Sequence, residues 1–239
     1  MNKLFYLSLF LSHFIFAQND CLQGNCEDGY GTKMYTNGQY EGFFQDGKRT
    51  NSGSFQFKDY SMYIGTWSND KMEGFGFIKI NDSISTIIGI FKDGKLNGKG
   101  MKFFKDNTIE AAWFENDSVK SYYDFQKNPV EIGCTNGNCQ NFYGRYKFEN
   151  GDEFNGFFKE NFMQFGSYVF ANKTTYIGEF DSEGKMNGIG IYVYSNGNYY
   201  FGNWKNSTYE GYGMFHNIVE DKKLVGYWKN GELQMESNE

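Results

Sequence analysis

The residues of this chain that could carry chemistry are few, and its four cysteines form the most specific pattern. They occur as two C-x4-C pairs, Cys21 with Cys26 and Cys134 with Cys139. This spacing differs from the C-x2-C of zinc ribbons and of thioredoxin-like redox sites. Four cysteines allow three connectivities, and the repeated spacing favours Cys21–Cys26 and Cys134–Cys139 as structural disulfides. Each would contribute about 2 kcal/mol of stability by closing a small loop.

The other candidates for catalysis or metal binding lack suitable neighbours in the sequence. His216 is the only histidine after residue 20, and one histidine alone makes neither a catalytic triad nor a histidine metal site. Residues 94–99 (GKLNGK) differ from a phosphate-binding loop, because only three residues separate the glycines and Gly100 stands where Ser or Thr is required. The sequence therefore predicts a protein that is not an enzyme, with no cofactor and no metal.

A series of aromatic residues is the remaining candidate site. We favour its interpretation as core between neighbouring repeats. The functional alternative is a binding surface that stacks on sugars, on choline-like cations or on an apolar partner. The members of this aromatic ladder are Tyr40, Phe44, Tyr63, Trp67, Phe91, Tyr176, Phe180, Tyr200, Trp204 and Trp228.

The aromatic ladder belongs to an internal repeat. The pattern apolar-x-Gly-x-aromatic occurs eight times, mostly at steps of 22 to 24 residues, as in residues 63–67 (YIGTW). In the fourth unit the pattern assigns Ala111 to the glycine position and Trp113 to the aromatic position. A turn such as Asp93-Gly94 follows each aromatic residue, and a Gly-x-Gly then opens a second apolar run. Apolar runs on both sides of a short Asp-Gly or Asn-Gly turn predict a β-hairpin.

The composition supports an all-β fold and narrows the classes of partner. The chain of 239 residues contains 26 Phe, 19 Tyr, 4 Trp and 30 Gly, but a single proline. Residues that favour β-strands are plentiful, whereas leucine and alanine are scarce after residue 20. The formal net charge of −6 gives no basic footprint for nucleic acid. It also argues against purely electrostatic adhesion to anionic lipid.

The order of segments predicts an exported chain with two arrays of repeats. Lys3, the apolar run 4–16 and a cleavage site at 15–17 (IFA) predict a signal peptide over residues 1–17. We therefore expect a periplasmic or extracellular protein, in which disulfides are the default. The two cysteine pairs open a first array, 18–118, and a second array, 134–235. A degenerate junction, 119–133, separates the arrays, and residues 236–239 form a tail.

The repeated unit, Y-x-G-x-[WF]-x-x-G-K-x-x-G-x-G, resembles the MORN repeat (membrane occupation and recognition nexus). Its fullest copies are residues 87–100 and 176–190. The resemblance implies an elongated, single-layer, twisted antiparallel meander of β-hairpins. It also implies a scaffold or attachment role, since arrays of this family are associated with membranes, with protein partners and with array-to-array dimers.

The apolar residues on both faces of the strands suggest how the protein acts. Ile189 and Ile191 lie on one face of a predicted strand, and Tyr192 and Tyr194 lie on the other. A single-layer sheet cannot bury both faces, so some aromatic surface must pack against the other array, another protomer or a partner. We therefore expect a non-enzymatic exported scaffold that attaches to a protein partner, to itself or to an envelope component. The alternatives are a glycan-binding module and a protein that associates with membrane lipid.

Overall fold

The regular structure of the described chain consists of β-strands alone. The computed structural model describes residues 21–80, 84–106, 108–123 and 130–236. The predicted signal peptide, 1–17, and part of the predicted junction lie outside these residues. The strands form two antiparallel sheets of ten strands each, and in both sheets the spatial order equals the order along the chain. Each sheet is therefore a β-meander, as the sequence predicts.

The strands of the two sheets have similar lengths. The first sheet contains β1 (Cys21–Gly24), β2 (Gly29–Tyr35), β3 (Gly38–Gln45), β4 (Lys48–Phe57), β5 (Met62–Ser68), β6 (Lys71–Lys79), β7 (Ile84–Lys92), β8 (Lys95–Phe104), β9 (Ile109–Glu115) and β10 (Ser118–Tyr122). The second sheet contains β11 (Gly133–Gly137), β12 (Tyr143–Lys147), β13 (Glu153–Lys159), β14 (Phe162–Val169), β15 (Thr175–Phe180), β16 (Met186–Val193), β17 (Tyr199–Lys205), β18 (Thr208–Asn217), β19 (Lys222–Lys229) and β20 (Glu232–Glu236).

Two-residue turns close several hairpins, among them those at Asp46-Gly47, Asp93-Gly94 and Asn230-Gly231. In the turn between β3 and β4, Asp46 and Gly47 have φ angles of 51° and 69°. Two consecutive residues with positive φ are the signature of the type I′ turn, whose twist matches that of the flanking strands. Further pairs of this kind in the described chain are 69–70, 93–94, 116–117, 160–161, 206–207 and 230–231.

A row of glycines crosses each sheet at right angles to the strands. In the first sheet Gly42 pairs with Gly53, Gly53 with Gly65, and Gly65 with Gly76, and the row continues to Gly100. The second sheet repeats the row from Gly144 to Gly226. Most hairpins also shift register beside this row, as between Gly42 and Phe43. Such β-bulges increase the local twist and bend the bulged strand.

The fourth unit of the repeat has a different register from the one that the pattern assigns. Gly100 pairs with Ala112, so Ala112 occupies the glycine row and Ala111 does not. Phe114 consequently takes the aromatic position and is fully buried, whereas Trp113 is 44% exposed. The assignment of Ala111 and Trp113 to the repeat was wrong by one residue. A shift of one residue moves a strand's side chains to the opposite face of the sheet.

The two sheets pack face to face, so that two single-layer meanders give a two-layer molecule. Strand β4 contacts β17, β5 contacts β16 and β6 contacts β15. The chain doubles back at the junction. Each of these strands of the first sheet therefore faces the strand of the second sheet that lies the same number of strands from the junction. Ring centroids of Phe75 and Phe165 lie 5.6 Å apart across the interface. The core between the sheets contains Phe75, Phe77, Ile88, Met101, Ala111, Tyr143, Phe157, Phe165, Ile189, Ile191 and Phe201.

Candidate binding site

The tyrosines of the aromatic ladder cover the glycine row on the outer face of each sheet. A Cβ built on Gly53 would lie 2.5 Å from Cζ of Tyr40, so the absent side chain makes room for the ring. Each of these hydroxyls donates a hydrogen bond of 2.9 to 3.1 Å to the main-chain carbonyl three residues further along. Burial raises the pKa of all four phenols above the ordinary value. The four are Tyr40, Tyr63, Tyr176 and Tyr200.

The other rings of the ladder pack into the same hydrophobic clusters on the outer faces of the two sheets. The indole nitrogens of Trp67, Trp204 and Trp228 donate to glycine carbonyls of the row over 3.0 to 3.2 Å. Phe44 and Phe91 are buried, and Phe180 is half-buried. The ladder therefore forms the core of each sheet's outer face. Apart from half-buried Phe180, its rings are buried and leave little surface for sugars, cations or an apolar partner.

One charged side chain lies among these rings. The guanidinium carbon of Arg49 lies 4.3 Å from the ring centroid of Trp67 and 4.7 Å from that of Tyr35. Asp70 holds the guanidinium with an Nε–Oδ1 distance of 3.1 Å. The chain itself thus places a cation on the aromatic rings where the sequence allowed a choline-like ligand.

The four cysteines form two local disulfides that cap the glycine rows. Cys21 bonds to Cys26 and Cys134 to Cys139, with Cα–Cα distances of 5.9 and 5.8 Å. A Cβ on Gly31, at the start of the first row, would lie 2.9 Å from Sγ of Cys26. Cys139 covers Gly144 in the same way. Each disulfide therefore stands where an aromatic ring covers the later glycines. Both disulfides are compatible with an oxidising location.

His216 lies in a polar network between the sheets. This network is near the free ends of the sheets, which are the ends far from the junction. Its Nδ1 is 3.2 Å from the hydroxyl of Tyr199, and its Nε2 is 3.0 Å from Oδ1 of Asp221. Nearby, Lys223 of the second sheet donates to Glu41 of the first over 2.7 Å. Within the described ranges no group of three or more His, Cys, Asp or Glu residues could hold a metal ion.

Among the described residues, two of the concave regions could admit a ligand. The larger, of about 770 Å³, is a groove on the outer face of the second sheet beside the Cys134–Cys139 disulfide, and exposed Phe162 and half-buried Tyr146 line it. The other, of about 510 Å³, is a cleft between the sheets. Its lining residues are Ile90, Asn97, Gly98, Lys99, Trp113, Gln164, Phe165, Glu179, Phe180, Asn187 and Gly188.

The cleft brings polar side chains of both sheets together. Lys99 of the first sheet donates from Nζ to Oε1 of Gln164 in the second sheet over 2.8 Å. Burial lowers the pKa of the Lys99 ammonium, and the charge of Lys159 adds to this. Burial raises the pKa of the Glu179 carboxyl, although this group accepts a hydrogen bond of 2.9 Å from the amide of Ile189. Sequence reasoning missed the cleft, since its two walls come from hairpins far apart in the chain.

Comparison with known proteins shows which known repeat the repeated unit is similar to. The model of the MORN repeat family matches residues 40–62, 63–82, 88–109, 176–199 and 200–217. These five segments hold much of the glycine row in both sheets, and the chain is similar to MORN-repeat proteins over them. Such proteins are generally non-enzymatic scaffolds associated with membrane-lipid or protein interactions. A search of curated proteins gave no significant match. No helix among the described residues is long and apolar enough to cross a membrane.

Proposed function

We propose that this chain is a non-enzymatic, exported scaffold that attaches to a protein partner or to a second copy of itself. The attachment uses the end of the molecule where the chain passes from the first sheet to the second. The five matched repeats support a binding scaffold. The predicted signal peptide and the two disulfides support export.

The observation that carries the proposal is a group of exposed apolar side chains at this end. Tyr122 is 67% exposed, and four further apolar side chains on neighbouring segments are also exposed. The ring of Tyr123 lies 5.6 Å from that of Phe142, which connects the end of β10 with the loop before β12. We call Tyr122, Val130, Ile132, Phe142 and Phe162 the junction surface. Exposed apolar groups of this kind mark interaction sites on soluble proteins.

In this proposal the junction surface supplies the binding role for which the sequence offered the aromatic ladder as the alternative to its interpretation as core. The ladder rings other than half-buried Phe180 are buried within their own sheets, and the inner faces of the two sheets cover each other. The exposed apolar side chains that remain for a partner include those at the junction end of the molecule. Binding to a protein fits this surface because aromatic and branched apolar side chains are typical of the centres of protein interfaces.

Site-specific crosslinking in the cells that express the protein tests the proposal. A photo-reactive phenylalanine derivative at Ile132 or Phe142 should give a discrete protein adduct. The same derivative at Tyr60, an aromatic residue that is 75% exposed elsewhere on the molecule, should give none. The Ile132 adduct should disappear when Tyr122→Ser and Phe142→Ser are introduced, because these changes remove apolar contact area.

The outcome separates the candidate partners. An adduct with twice the mass of the chain would identify self-association, and a larger or smaller adduct would identify another protein. Vesicle co-sedimentation of the purified protein with neutral and anionic lipid, at low and physiological salt, shows whether the protein binds to membrane lipid. Binding to vesicles without any protein adduct would overturn the proposal in favour of membrane attachment.

A further inference from the structure

The cleft between the sheets is a site of its own, and it uses none of the residues of the junction surface. Its floor continues the core between the sheets, because Phe165 belongs to that core and Ile90 packs against it. Trp113 lies on one wall and keeps 44% of its surface exposed. It is the one tryptophan of the chain that is not buried, since Trp67, Trp204 and Trp228 lie in the outer clusters.

The two sides of the cleft supply complementary polar groups. Lys99 pairs directly with Trp113 across β8 and β9, so the ammonium and the indole lie on the same face. Gln164 is the extra residue of a β-bulge, since Phe165 and Met163 pair with consecutive residues of β13 while Gln164 has no cross-strand partner. The Lys99–Gln164 hydrogen bond of 2.8 Å spans the gap. It leaves the amide N–H groups of Gln164 for another acceptor. Asn97 and Asn187 add two further amides to the lining.

The cleft is not a general feature of the repeated unit, because some equivalent positions hold residues that fill the space between the sheets. The residue that follows the row glycine points between the sheets, and Phe43 and Phe157 fill the space there with buried rings. Near the free ends of the sheets the ring centroid of Phe43 lies 4.3 Å from that of Tyr212, so aromatic rings meet across the interface there. The corresponding residues at the cleft are Trp113 and Glu179. Gly98 and Gly188 in the two bulged hairpins add no side chains to the opening.

The balance of charge and polarity indicates the class of ligand. Lys99 and Glu179 carry opposite charges when ionised, and burial favours the uncharged form of both. These are the two charged side chains of the lining, so the lining itself has no excess of either charge, and the charge of Lys159 lies outside it. Three amides beside an aromatic wall suit a ligand that has hydroxyl groups at its edge and an apolar C–H face. The volume of about 510 Å³ lies within the range of small-molecule sites, about 300–1,000 Å³.

We propose that the cleft between the sheets binds a neutral oligosaccharide. One sugar ring stacks on Trp113, while Lys99, Gln164 and the asparagine amides hydrogen-bond its hydroxyl groups. This inference does not depend on the junction surface. It places glycan binding in the cleft, to whose lining the aromatic ladder contributes only Phe180.

Calorimetric titration of the purified, oxidised protein with six neutral oligosaccharides tests the inference. The probes are cellohexaose, chitohexaose, maltohexaose, xylohexaose, mannohexaose and laminarihexaose. At least one should bind saturably and change the fluorescence of the exposed tryptophan. Trp113→Ala and Gln164→Leu should each weaken binding by about fivefold or more, the loss expected for a stacking contact or a hydrogen bond. The matched control Tyr60→Ala, an exposed aromatic residue outside both the cleft and the junction surface, should leave the affinity unchanged.

Three results would overturn the inference. They are the failure of all six probes to bind, binding that both cleft variants leave unchanged, and displacement of the bound sugar by inorganic phosphate. Thermal unfolding of each variant shows that it is folded. Trp113→Ala should leave crosslinking at the junction surface intact, so that failure of this site and failure of the proposed function are distinguishable.

Discussion

At the scale of single residues, the sheets are stabilised by rings that lie where side chains are missing. Tyr40 covers Gly53 across the strand pair, and its hydroxyl donates to the carbonyl of Phe43 over 3.1 Å. A glycine inside a strand normally weakens it. Here the glycine allows a large ring to approach the main chain, which buries apolar area and satisfies the phenol at once. The glycines of the row are therefore part of the packing.

Gly53→Ala should destabilise the protein by about 2–3 kcal/mol, because the new methyl group meets the fully buried Tyr40 ring. Denaturant unfolding measures the change. The control Gly94→Ala lies in a turn with open space around it and φ of +83°, and it should cost only about 1 kcal/mol.

A double-mutant cycle identifies the cause of this loss. In a Tyr40→Leu background the smaller side chain leaves room for the methyl group, so Gly53→Ala should cost clearly less than in the wild type. An equal cost in both backgrounds would show that the glycine matters for its backbone conformation and not for the ring.

At the scale of elements, the register of each hairpin decides which aromatic residue is core. Phe114 lies two residues after Ala112, as Phe91 lies two after Gly89, and its ring packs over Gly100. Trp113, one residue earlier, points between the sheets and into the cleft.

Phe114→Ala should destabilise the protein by about 3–5 kcal/mol, the usual cost of removing a fully buried phenylalanine. Trp113→Ala should cost no more than about 1 kcal/mol, since much of this ring is already in solvent. Chemical denaturation of the two variants measures both changes. Similar losses, or a larger loss for Trp113→Ala, would restore the register that the repeat pattern assigned.

Local features of the hairpins could be predicted from the sequence, and features that join distant strands could not. The positions of Asp93 and Gly94 predict a turn because only certain residues adopt positive φ there. The repeated cysteine spacing favours the two local disulfides that the structure contains. In contrast, the fourth unit offers two adjacent alanines, and only pairing with Gly100 decides between them. The cleft depends on Lys99 meeting Gln164, a contact between residues of different sheets.

At the scale of the whole molecule, a shared core joins the two sheets into one folding unit. Phe75 and Phe77 of the first sheet pack with Phe165 and Ile191 of the second. The sequence required a cover for both faces of each sheet and left open whether the other array, another protomer or a partner supplied it. The structure assigns this role to the other array. Neither sheet can lose its strands without exposing the inner face of the other.

Alkaline unfolding should therefore occur in a single step that involves both sheets. Burial raises the pKa of Tyr40 and Tyr63 in the first sheet and of Tyr176 and Tyr200 in the second. A raised pKa in the folded state means that these phenols contribute full stability below about pH 10, the pKa of tyrosine in the unfolded chain. This contribution is lost as the pH rises above that value.

A pH titration that follows tyrosinate absorbance and near-ultraviolet circular dichroism checks this expectation. The main rise in absorbance should coincide with one loss of circular dichroism. Two separate losses would show that the sheets unfold independently. A complete rise without any loss would show that the phenols are not buried.

The doubling back of the chain also fixes an order of events during synthesis. The first ten strands leave the ribosome before any of the strands that will cover their inner face. Strands near the junction meet their counterparts early, whereas β3 and β4 wait for β17 and β18, which are made only after all the strands between them. Phe43 therefore stays without its aromatic neighbour Tyr212 until β18 has been synthesised. A nascent or truncated chain therefore exposes the apolar inner face of the first sheet, which the strands of the second sheet cover in the folded protein.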